Sequence, residues 1–425
     1  MDGDRFTFDS GPVRGTVSVP GDKSISHRAL IVGAAASAPL RIVGLNAGRD
    51  VRATREALAA MGTSISADDG TVTVEAHPLR APGTVVNCMN SGSTARMLLG
   101  ACAGAGLAVR FDGDDSLRRR PMEPVAAQLR AFGAKIATTE GRLPLEIRGT
   151  PEIQTRHFIL LQPSAQVKSA LLFAALFARV EIQIDGDRGS RDHTERLLRH
   201  LGADIDWDGS SVRFFAGPVK GGTLQIPGDF SAASFLITAA ALAPGSSILT
   251  RGIGINPTRT GLIDALRSMG GAIQVRPAGA LAGEPVADIA TEYHPLRGTR
   301  VPADMAMRAI DEIPLLALAA AFADGTTTID GIADLRTKES DRLASIRRLL
   351  RSVGVEPTVE GSRLTIVGSA PRAAGGTIDT GGDHRIAMAA AALAAAAGPL
   401  TVDSTASIDV SFPGFLALWR ALRAV

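Results

Sequence analysis

Six segments of the chain share one pattern: a short polar cluster leads directly into an apolar helix rich in Ala, Leu and Ile. Polar side chains of this kind cap the first turn of a helix. After five of the segments, the pattern predicts a short strand, a second, amphipathic helix and a glycine-containing turn into a further strand. The sixth copy ends after its second helix. The six polar clusters begin at Asp22, Asn90, Ser164, Asp229, Asp311 and Asp383.

The pattern recurs about every 70 residues, which is longer than the period of the common solenoid repeats. Each copy therefore predicts a small α/β subdomain with two helices. The 425 residues suffice for two domains of about 200 residues each, so two domains of three units are the simplest division. If the six helix starts share one orientation, their positive dipole ends point at one region.

Composition argues against several classes of function. The chain has 45 basic and 43 acidic residues, one Tyr and two Trp, so neither its charge nor its aromatic content favours nucleic-acid binding. The segment Met1–Ser10 lacks the pattern of a signal peptide, and the longest predicted apolar helix, Ile386–Ala397, is too short to span a bilayer. Two cysteines do not indicate a disulfide framework. We therefore expect a cytoplasmic protein without nucleic-acid or membrane partners.

The sequence also lacks the common cofactor motifs. It has no Gly-rich loop ending in Gly-Lys-Ser/Thr, no dinucleotide fingerprint after a first strand and no Gly-x-Ser-x-Gly elbow. These absences argue against ATP, NAD and serine-nucleophile chemistry. His384 lacks a second His or carboxylate at the spacing of a zinc motif, so a hydrogen-bonding role is favoured for it. We expect no cofactor and no metal.

The first polar cluster, within Pro20–Arg28, concentrates cations at a helix start. Lys23 and Arg28 lie where a helix already carries about +0.5 charge and normally favours Asp or Glu. A bound anion would resolve this conflict, because the backbone N–H groups, the Ser24 hydroxyl and both cations would point at it. The alternative is a capped surface helix whose cations reach into water.

The second unit adds further donors. Gly92 allows a ligand to approach the backbone closely at the second apolar helix. Arg120 is the last of three consecutive arginines, and Pro121, which we place in the first turn of the next helix, restricts it to an extended geometry. Arg120 is therefore the arginine of the three that we expect to point at a fixed target.

The third unit opens with the donors of Ser164–Ser169, and its later loop supplies a cation, Arg191. From spacing alone, an ion pair of Arg191 with Asp192 or Glu195 is at least as well supported as a role for Arg191 in binding an anion. The apolar helix starts of this first half of the chain are thus cationic or neutral.

Carboxylates replace cations at the helix starts of the second half. Asp229 and Glu312 fit the role of helix caps. Asp311, the neighbour of Glu312, gains a chemical role if it faces the cations of the first half. A carboxylate in that position could accept a proton from a substrate hydroxyl.

The densest charge cluster is Arg336–Arg342. Lys338 and Arg342, spaced i and i+4, are predicted on one helix face, where their repulsion costs a few tenths of a kcal/mol. An anion held between them would reverse that cost. The alternative is a solvated helix in which Glu339 pairs with Arg342 at i+3. Arg385 brings one more cation to the sixth helix start.

Together, these motifs closely resemble those of the 5-enolpyruvylshikimate-3-phosphate (EPSP) synthase family over nearly the whole chain. The motifs that carry the resemblance are Pro20–Arg28, Asn90–Arg96, Arg120–Met122, Ser164–Ser169, Arg191–Thr194, Asn256–Gly261, Asp311–Glu312, Arg336–Arg342 and Asp383–Arg385.

The resemblance implies an α/β protein with the two-domain enolpyruvyl transferase fold. Six βαβαββ units, three per domain, are then expected around an interdomain cleft. The N-terminal domain is predicted over residues 20–227 and binds mainly shikimate 3-phosphate. The C-terminal domain is predicted over residues 1–19 plus 228–425 and completes the phosphoenolpyruvate site.

The reaction implied by the resemblance transfers the enolpyruvyl (carboxyvinyl) group of phosphoenolpyruvate to the 5-hydroxyl of shikimate 3-phosphate and releases phosphate, in the shikimate pathway to chorismate and aromatic amino acids. By similarity, Asp311 takes the hydroxyl proton, Glu339 protonates the methylene carbon and Lys23 stabilises the moving charge. A monomer is expected.

The same similarity implies two sets of binding residues. Shikimate 3-phosphate would contact Lys23, Ser24, Arg28, Ser164, Ala165 (through its backbone), Gln166, Arg191, Asp311 and Lys338. Phosphoenolpyruvate would contact Lys23, Gly92, Arg120, Gln166, Arg342 and Arg385.

The sequence departs from the family pattern in two places. Many family members have a lysine before the Phe-Pro near the C-terminus, whereas Val410–Pro413 has none, so one phosphoenolpyruvate contact is absent or replaced. The segment Asn90–Arg96 also differs from the commoner Asn-Ala-Gly-Thr form. Gly92 is retained there, which leaves room for glyphosate, although one residue does not define sensitivity.

Two other functions remain open on this reasoning. An enolpyruvyl transferase acting on UDP-N-acetylglucosamine shares the fold and the donor substrate, but its usual loop cysteine has no counterpart, because Cys88 falls in a strand-like run and Cys102 in an apolar helix. A non-catalytic, anion-binding paralogue of the same fold is the second alternative. The pair Asp311 and Glu339 argues against it, because anion binding gains nothing from carboxylates.

Overall fold

A computed structural model describes residues 5–149 and 152–423. Residues 1–4 and 424–425 of the predicted C-terminal domain and residues 150–151 of the predicted N-terminal domain lie outside the described residues. The chain divides into two compact units. The N-terminal unit comprises Gly21–Pro227 and Ala280–Glu284, and the C-terminal unit comprises Met1–Pro20, Gly228–Gly279 and Pro285–Val425.

Helices follow the six polar clusters in the order that the sequence predicts. The α-helices of the described residues are α1 (Lys23–Gly33), α2 (Arg49–Ala60), α3 (Gly92–Gly104), α4 (Asp115–Arg118), α5 (Glu123–Phe132), α6 (Ala165–Ala178), α7 (His193–His200), α8 (Phe230–Leu242), α9 (Gly261–Ser268), α10 (Ala303–Arg308), α11 (Ile313–Phe322), α12 (Arg342–Arg351), α13 (His384–Ala397) and α14 (Phe415–Arg423). Two 3-10 helices cover Ala333–Thr337 and Ile408–Val410.

The strands are short and lie between these helices. They are β1 (Phe6–Phe8), β2 (Arg14–Val17), β3 (Leu40–Val43), β4 (Ser64–Asp68), β5 (Thr71–Glu75), β6 (Val86–Asn87), β7 (Ala108–Asp112), β8 (Lys135–Thr139), β9 (Arg142–Arg148), β10 (His157–Ile159), β11 (Ile182–Asp185), β12 (Ile205–Trp207), β13 (Ser211–Phe214), β14 (Gly222–Gln225), β15 (Ser247–Gly254), β16 (Ala272–Leu281), β17 (Glu284–Glu292), β18 (Arg300–Val301), β19 (Thr326–Asp330), β20 (Thr358–Glu360), β21 (Arg363–Val367), β22 (Thr377–Ile378) and β23 (Leu400–Val402).

The N-terminal unit contains three four-stranded sheets of one topology, ordered β14-β3-β5-β4, β6-β7-β9-β8 and β10-β11-β13-β12. In each sheet the first strand runs parallel to the second, and the remaining neighbours are antiparallel. A parallel pair of strands needs a crossover helix, whereas an antiparallel pair needs only a tight turn. This difference explains why the elements of each unit follow the order βαβαββ. The first sheet takes its parallel strand, β14, from the end of the unit.

The C-terminal unit contains two sheets of the same topology, β16-β17-β15-β2 and β18-β19-β21-β20, and a three-stranded sheet, β1-β23-β22. Strand β2, from the start of the chain, supplies the parallel strand of the first sheet. Strand β1 pairs antiparallel with β23. The sixth unit, which lacks a final hairpin of its own in the described residues, is thus extended by a strand from the other end of the chain.

Glycine ends the second helix of five units, as the sequence predicts. Each of these residues has a positive φ, between 81° and 126°, a conformation that glycine adopts without steric cost and that closes helices in this way. They are Gly62, Gly133, Gly202, Gly270 and Gly354.

The first helix of each unit forms the core. All 13 residues of α8 are buried, and α11 and α13 are buried over almost their whole length. In the N-terminal unit, α3 and α6 approach so closely that a Cβ atom on Gly100 would lie 2.0 Å from the Ala170 carbonyl oxygen. Gly104 faces Ala174 in the same way, also at 2.0 Å. These glycines therefore set the separation of the two helices.

Candidate active site

The cations of the first helix start are held in place by specific partners. Asp22 caps α1 by accepting from the Ile25 N–H. Lys23 lies 3.0 Å, Nζ to Oδ2, from Asp50 in the first turn of α2, and both side chains are largely buried. The alternative of a surface helix with solvated cations is therefore wrong for Lys23. Its partner Asp50 was not predicted, because no local spacing connects the two residues.

Arg28 is buried, at 4% exposed, and its hydrogen bonds go to neutral oxygens. Its Nε donates to Thr194 Oγ1 (2.7 Å), its Nη1 to the Ser24 carbonyl (2.8 Å) and its Nη2 to Ser169 Oγ (2.9 Å). Burial lowers the pKa of Arg28 to about 10, although the charge of Glu195 opposes this shift. A buried guanidinium held by neutral groups favours a bound anion, because burial disfavours an uncompensated charge.

The starts of α3 and α6 are joined by side chains. Arg96 donates from Nη1 to Gln166 Oε1 (2.8 Å) and from Nη2 to the Pro121 carbonyl (2.9 Å). Gln166 donates in turn to Ser93 Oγ (3.1 Å). This fixes Gln166 beside the buried Gly92, where a Cβ would lie only 2.6 Å from Arg96 Nη1. A side chain at position 92 would therefore require the Arg96 guanidinium to move.

Arg120 is buried and donates from Nη2 to Asn90 Oδ1 (2.6 Å). This agrees with the prediction that it is the oriented arginine of the three, since Arg118 pairs with Asp112 on the surface. The placement of Pro121 in the first turn of a helix was wrong. Helix α5 begins at Glu123, and its first-turn proline is Pro124.

Helix α6 carries a buried charge that the sequence analysis missed. Lys168 is fully buried, and its Nζ lies 2.5 Å from Asp187 Oδ2 and 2.6 Å from Glu195 Oε1. Burial lowers the pKa of Lys168, but the two carboxylates outweigh it and leave the pKa raised. A lysine inside the apolar run of α6 is a signal that could have predicted a buried ion pair, because buried lysines need partners.

The two carboxylates considered as partners of Arg191 also pair with other cations. Asp192 accepts from Arg196 Nε at 2.9 Å, one turn later in α7, and Glu195 pairs with Lys168. Arg191 itself is half-buried in the loop before α7. Ser164 caps α6 by accepting from the Val167 N–H.

The two cysteines are unsuited to nucleophilic chemistry. Cys88 follows β6 and Cys102 lies in α3, and both thiols are free and buried. Burial raises the pKa of Cys102 to about 12 and raises that of Cys88 further. Because the thiolate is the reactive form, neither residue can act as the loop cysteine of the UDP-N-acetylglucosamine enzyme.

In the C-terminal unit, Arg342 has an environment rich in carboxylates. It is fully buried, and it lies 3.0 Å from Asp383 (Nε to Oδ2) and 3.1 Å from Asp311 (Nη1 to Oδ1). Its Nη2 also donates to Glu339. Burial lowers the pKa of Arg342, but the three carboxylates outweigh burial and raise it above its ordinary value.

A second arginine shares one of these carboxylates. Arg385 Nη2 lies 3.6 Å from Asp311 Oδ2, and Arg385 Nη1 lies 3.6 Å from Glu312 Oε1. Glu312 also accepts a hydrogen bond from the Ser231 hydroxyl. The structure therefore brings Asp311, Arg342 and Arg385 together, as a site would require.

Two predictions about helix geometry were wrong in this unit. Lys338 follows a 3-10 helix, and α12 begins only at Arg342 with Asp341 as its cap, so Lys338 and Arg342 do not share a face of one helix. Glu312 makes no side-chain cap bond at α11, because its carboxylate turns towards Ser231. Asp229, in contrast, caps α8 as predicted.

Neither a membrane-spanning helix nor a metal-binding cluster is found in the part of the chain that the structure describes. Within residues 5–149 and 152–423, no helix is long and apolar enough to cross a membrane. Over the same residues, no group of three or more His, Cys, Asp or Glu side chains is arranged to hold a metal ion.

Comparison with solved structures first defines the class of fold. The enolpyruvyl transferase NikO from Streptomyces tendae superposes with a TM-score of 0.77 and 19% identity, covering 99% of this chain and 98% of NikO. An EPSP synthase from Acinetobacter baumannii superposes with a TM-score of 0.86 and 37% identity, covering 98% of each chain. The fold is therefore the enolpyruvyl transferase fold, and the predicted fold class is confirmed.

Sequence comparison then identifies the family. A family model described as EPSP synthase (3-phosphoshikimate 1-carboxyvinyltransferase) matches residues 9–419. A 3-phosphoshikimate 1-carboxyvinyltransferase from Acidiphilium cryptum is 43% identical over 424 residues, which cover 97% of this chain and 95% of the relative. The chain belongs to the EPSP synthase family, and the resemblance drawn from its motifs is confirmed.

Proposed function

We propose that this protein transfers the carboxyvinyl group of phosphoenolpyruvate to the 5-hydroxyl of shikimate 3-phosphate and releases phosphate. One observation carries the proposal: the chain matches the EPSP synthase family over residues 9–419 and keeps cations and carboxylates at the family's motifs. The buried thiols of Cys88 and Cys102 favour this acceptor over UDP-N-acetylglucosamine. The paired carboxylates of Asp311 and Glu339 favour an enzyme over an anion-binding paralogue.

Shikimate 3-phosphate, on this proposal, binds to donors of the N-terminal unit. Arg28 supports this assignment, because its buried guanidinium is held by neutral oxygens and favours an anion. Further N-terminal groups proposed for this substrate are Lys23, Ser24, Ser164, the Ala165 backbone, Gln166 and Arg191. Asp311 and Lys338 are proposed to complete its contacts.

Phosphoenolpyruvate is proposed to bind to Lys23, Gly92, Arg120, Gln166, Arg342 and Arg385. In the structure, Glu339 and Asp311 occupy donors of Arg342. A substrate carboxylate therefore replaces Glu339 at the guanidinium, which frees Glu339 for proton transfer. The substrate carboxylate takes the place of the Glu339 carboxylate, so the buried charge of Arg342 stays compensated.

The proton steps then follow from Asp311 and the freed Glu339, which takes up a proton from solvent. Asp311 accepts the proton of the 5-hydroxyl as its oxygen attacks C2 of phosphoenolpyruvate, and Glu339 delivers its proton to the C3 methylene. The product is a tetrahedral intermediate. Phosphate then leaves C2 with the proton held by Asp311, and one C3 proton returns to Glu339, which restores the double bond, while Lys23 stabilises the charge that moves between the reacting groups.

The direct test is phosphate release from purified protein mixed with phosphoenolpyruvate and shikimate 3-phosphate. We expect release that requires both substrates and falls by about 10²–10⁴-fold in Glu339→Ala, in line with the loss of a general acid, with a comparable fall in Lys23→Met. Arg351→Ala, on the exposed side of α12, is the matched control and should retain activity. If folded wild-type protein releases no phosphate from the two substrates, the proposed acceptor is contradicted.

We further propose that the protein is a cytoplasmic monomer. Light scattering during gel filtration tests the oligomeric state, and a mass close to 44.0 kDa is expected for one chain. A mass near twice that value, maintained on dilution, would contradict the monomer.

A further inference from the structure

Two neighbouring contacts join helices α1 and α2. Lys23 and His27 lie one turn apart in α1, and Asp50 and Thr54 lie one turn apart in α2. Lys23 Nζ is 3.0 Å from Asp50 Oδ2, and His27 Nδ1 is 2.7 Å from Thr54 Oγ1. Because residues four apart share one face of a helix, the buried contact of His27 lies directly beside the ion pair that holds Lys23.

Helix α3 extends this contact through a second buried hydroxyl. Thr94 Oγ1 is 2.7 Å from Thr54 Oγ1, donates to Ser91 Oγ at 2.7 Å and lies 3.2 Å from the Asp50 carbonyl oxygen. Ser91 is the cap of α3. A continuous chain of buried hydrogen bonds, the hydroxyl relay, therefore runs from α1 to the start of α3 through His27, Thr54, Thr94 and Ser91.

The direction of the hydroxyl relay follows from the number of its protons. A threonine hydroxyl has one proton to donate, and that of Thr94 goes to Ser91 Oγ or to the Asp50 carbonyl. Thr94 Oγ1 therefore accepts from Thr54, and Thr54 Oγ1 accepts from His27 Nδ1. The imidazole proton of His27 is thus on Nδ1.

Two further observations agree with a neutral His27 that is protonated at Nδ1. Burial, followed by the charges of Lys23 and Arg28, lowers the pKa of His27 well below its ordinary value, so the imidazole is uncharged. Its Nε2 is buried and has no hydrogen-bond partner among the described residues. A proton on Nε2 would leave a buried N–H without an acceptor, which is rare in native structures.

We propose that the hydroxyl relay positions Lys23 for catalysis, with His27 as its anchor. The relay fixes the first turn of α2, and the Asp50 carboxylate of that turn holds the Lys23 ammonium. The inference rests on the proposed function, in which Lys23 stabilises the moving charge. Loss of a hydroxyl from the relay lets the turn that carries Asp50 shift, and small displacements of a catalytic group are costly in rate.

The test measures phosphate release after two substitutions at the centre of the hydroxyl relay. Thr54→Val keeps nearly the shape of the side chain but removes its hydroxyl, and kcat/KM for phosphoenolpyruvate should fall at least about tenfold. Thr54→Ser keeps the hydroxyl and should stay within about threefold of wild type. Thr63→Val is the matched control and should leave kcat/KM unchanged, because Thr63 is buried in the same unit and its hydroxyl has no hydrogen-bond partner among the described residues.

A double-mutant cycle separates the positioning of Lys23 from a general structural role. If the hydroxyl relay acts through Lys23, Thr54→Val should lower kcat/KM less than about twofold when Lys23→Met is already present. Equal falls in the two backgrounds, equal falls in Thr54→Ser and Thr54→Val, or wild-type activity in Thr54→Val would overturn the proposal. Wild-type protein that releases no phosphate would instead refute the proposed function, and this inference with it.

The tautomer of His27 keeps the proposal testable if Thr54→Val does not fold. Nitrogen NMR of wild-type protein with isotope-labelled histidine distinguishes a proton on Nδ1 from one on Nε2, and the signals that disappear in His27→Gln identify this residue. We expect the proton on Nδ1. A proton on Nε2 would reverse the direction of the hydroxyl relay and overturn the proposal.

Discussion

Arg28 in one unit and Arg342 in the other are both buried, but they have opposite surroundings. Arg28 in the N-terminal unit donates to a hydroxyl, a backbone carbonyl and a second hydroxyl. Arg342 in the C-terminal unit contacts three carboxylates, those of Asp311, Glu339 and Asp383. The first arginine is held by neutral groups, whereas the second is compensated by acidic groups.

The difference shows how a single repeat can serve two chemical roles. Both arginines lie near the start of a helix of a βαβαββ unit, Arg28 in the apolar first helix α1 and Arg342 in the amphipathic second helix α12, and the polar residues around them differ. Neutral donors around Arg28 suit binding of an anionic acceptor. Carboxylates around Arg342 suit proton transfer, because a guanidinium keeps nearby acids ionised until a substrate anion displaces them.

The largest effect that distinguishes the two arginines is on stability. Arg342→Ala should lower the free energy of unfolding by about 3–5 kcal/mol, because it leaves buried carboxylates without a cation. Arg28→Ala should lower it by about 1–3 kcal/mol, the cost of leaving neutral oxygens unsatisfied. Urea unfolding followed by circular dichroism measures both values.

Arg351→Ala provides the control for this comparison, because Arg351 lies on the same helix as Arg342 but pairs with Glu356 on the surface. It should leave the free energy of unfolding nearly unchanged. If Arg28→Ala and Arg342→Ala lower the free energy of unfolding equally, the two environments do not differ in the way their contacts indicate.

A smaller effect is expected from the packing that positions the Arg28 partners. Gly100→Ala places a Cβ against the Ala170 carbonyl, so α3 and α6 must separate, at a cost of about 1–3 kcal/mol in the free energy of unfolding. Helix α6 carries Ser169, a partner of Arg28. Gly83→Ala is the control, because nothing lies within 4 Å of its new Cβ, and it should leave the free energy of unfolding nearly unchanged. If Gly83→Ala lowers the free energy of unfolding as much as Gly100→Ala does, overpacking is not the cause.

The pH dependence of stability should also differ between the units. His27 is fully buried, and burial, followed by the charges of Lys23 and Arg28, holds its pKa well below the ordinary value. The unfolded chain takes up a proton below pH 6.5 and the folded chain does not, so stability is complete above pH 6.5 and falls as the pH is lowered. The contribution of His27 reaches up to about 2 kcal/mol at pH 5.

Asp383 in the C-terminal unit also has a lowered pKa, but it acts at lower pH. Burial raises its pKa, but Arg342 outweighs burial and leaves the pKa lowered. Its contribution is present above the unfolded-state pKa of about 3.9 and is lost only as the pH falls below that value. Between pH 7.5 and 5, the hydrogen-exchange protection factors, which are corrected for the slower intrinsic exchange at lower pH, should therefore fall in α1 and not in α13. The His27→Gln variant should not show that fall, and its persistence there would assign the effect to another group.

Periodicity was enough to predict the repeated elements of the fold. The polar cluster before each apolar helix and the glycine after each second helix act within a few residues of each other, so the sequence contains their physical cause. The pairing of strands from distant parts of the chain could not be predicted in this way. That β14 pairs with β3, and β1 with β23, depends on contacts between residues far apart in the chain, which no local pattern encodes.

The same limit applies to the candidate site. The cations at helix starts could be predicted, because a positive side chain conflicts with the helix dipole. Their partners could not, since Lys23 pairs with Asp50 and Arg342 with Asp383 across different helices. The helix assumed over Lys338 and Arg342 was wrong because Asp341 caps α12, which therefore begins only at Arg342, the last residue of the cluster.

The most direct test of the contrast between the two arginines is calorimetric binding of shikimate 3-phosphate, without phosphoenolpyruvate, to Arg28→Lys and Arg342→Lys. Both variants keep the charge and remove the directed guanidinium donors. The dissociation constant should rise at least about tenfold in Arg28→Lys and less than about threefold in Arg342→Lys. An equal rise in both variants, or a larger rise in Arg342→Lys, would contradict the assignment of acceptor binding to the arginine held by neutral oxygens.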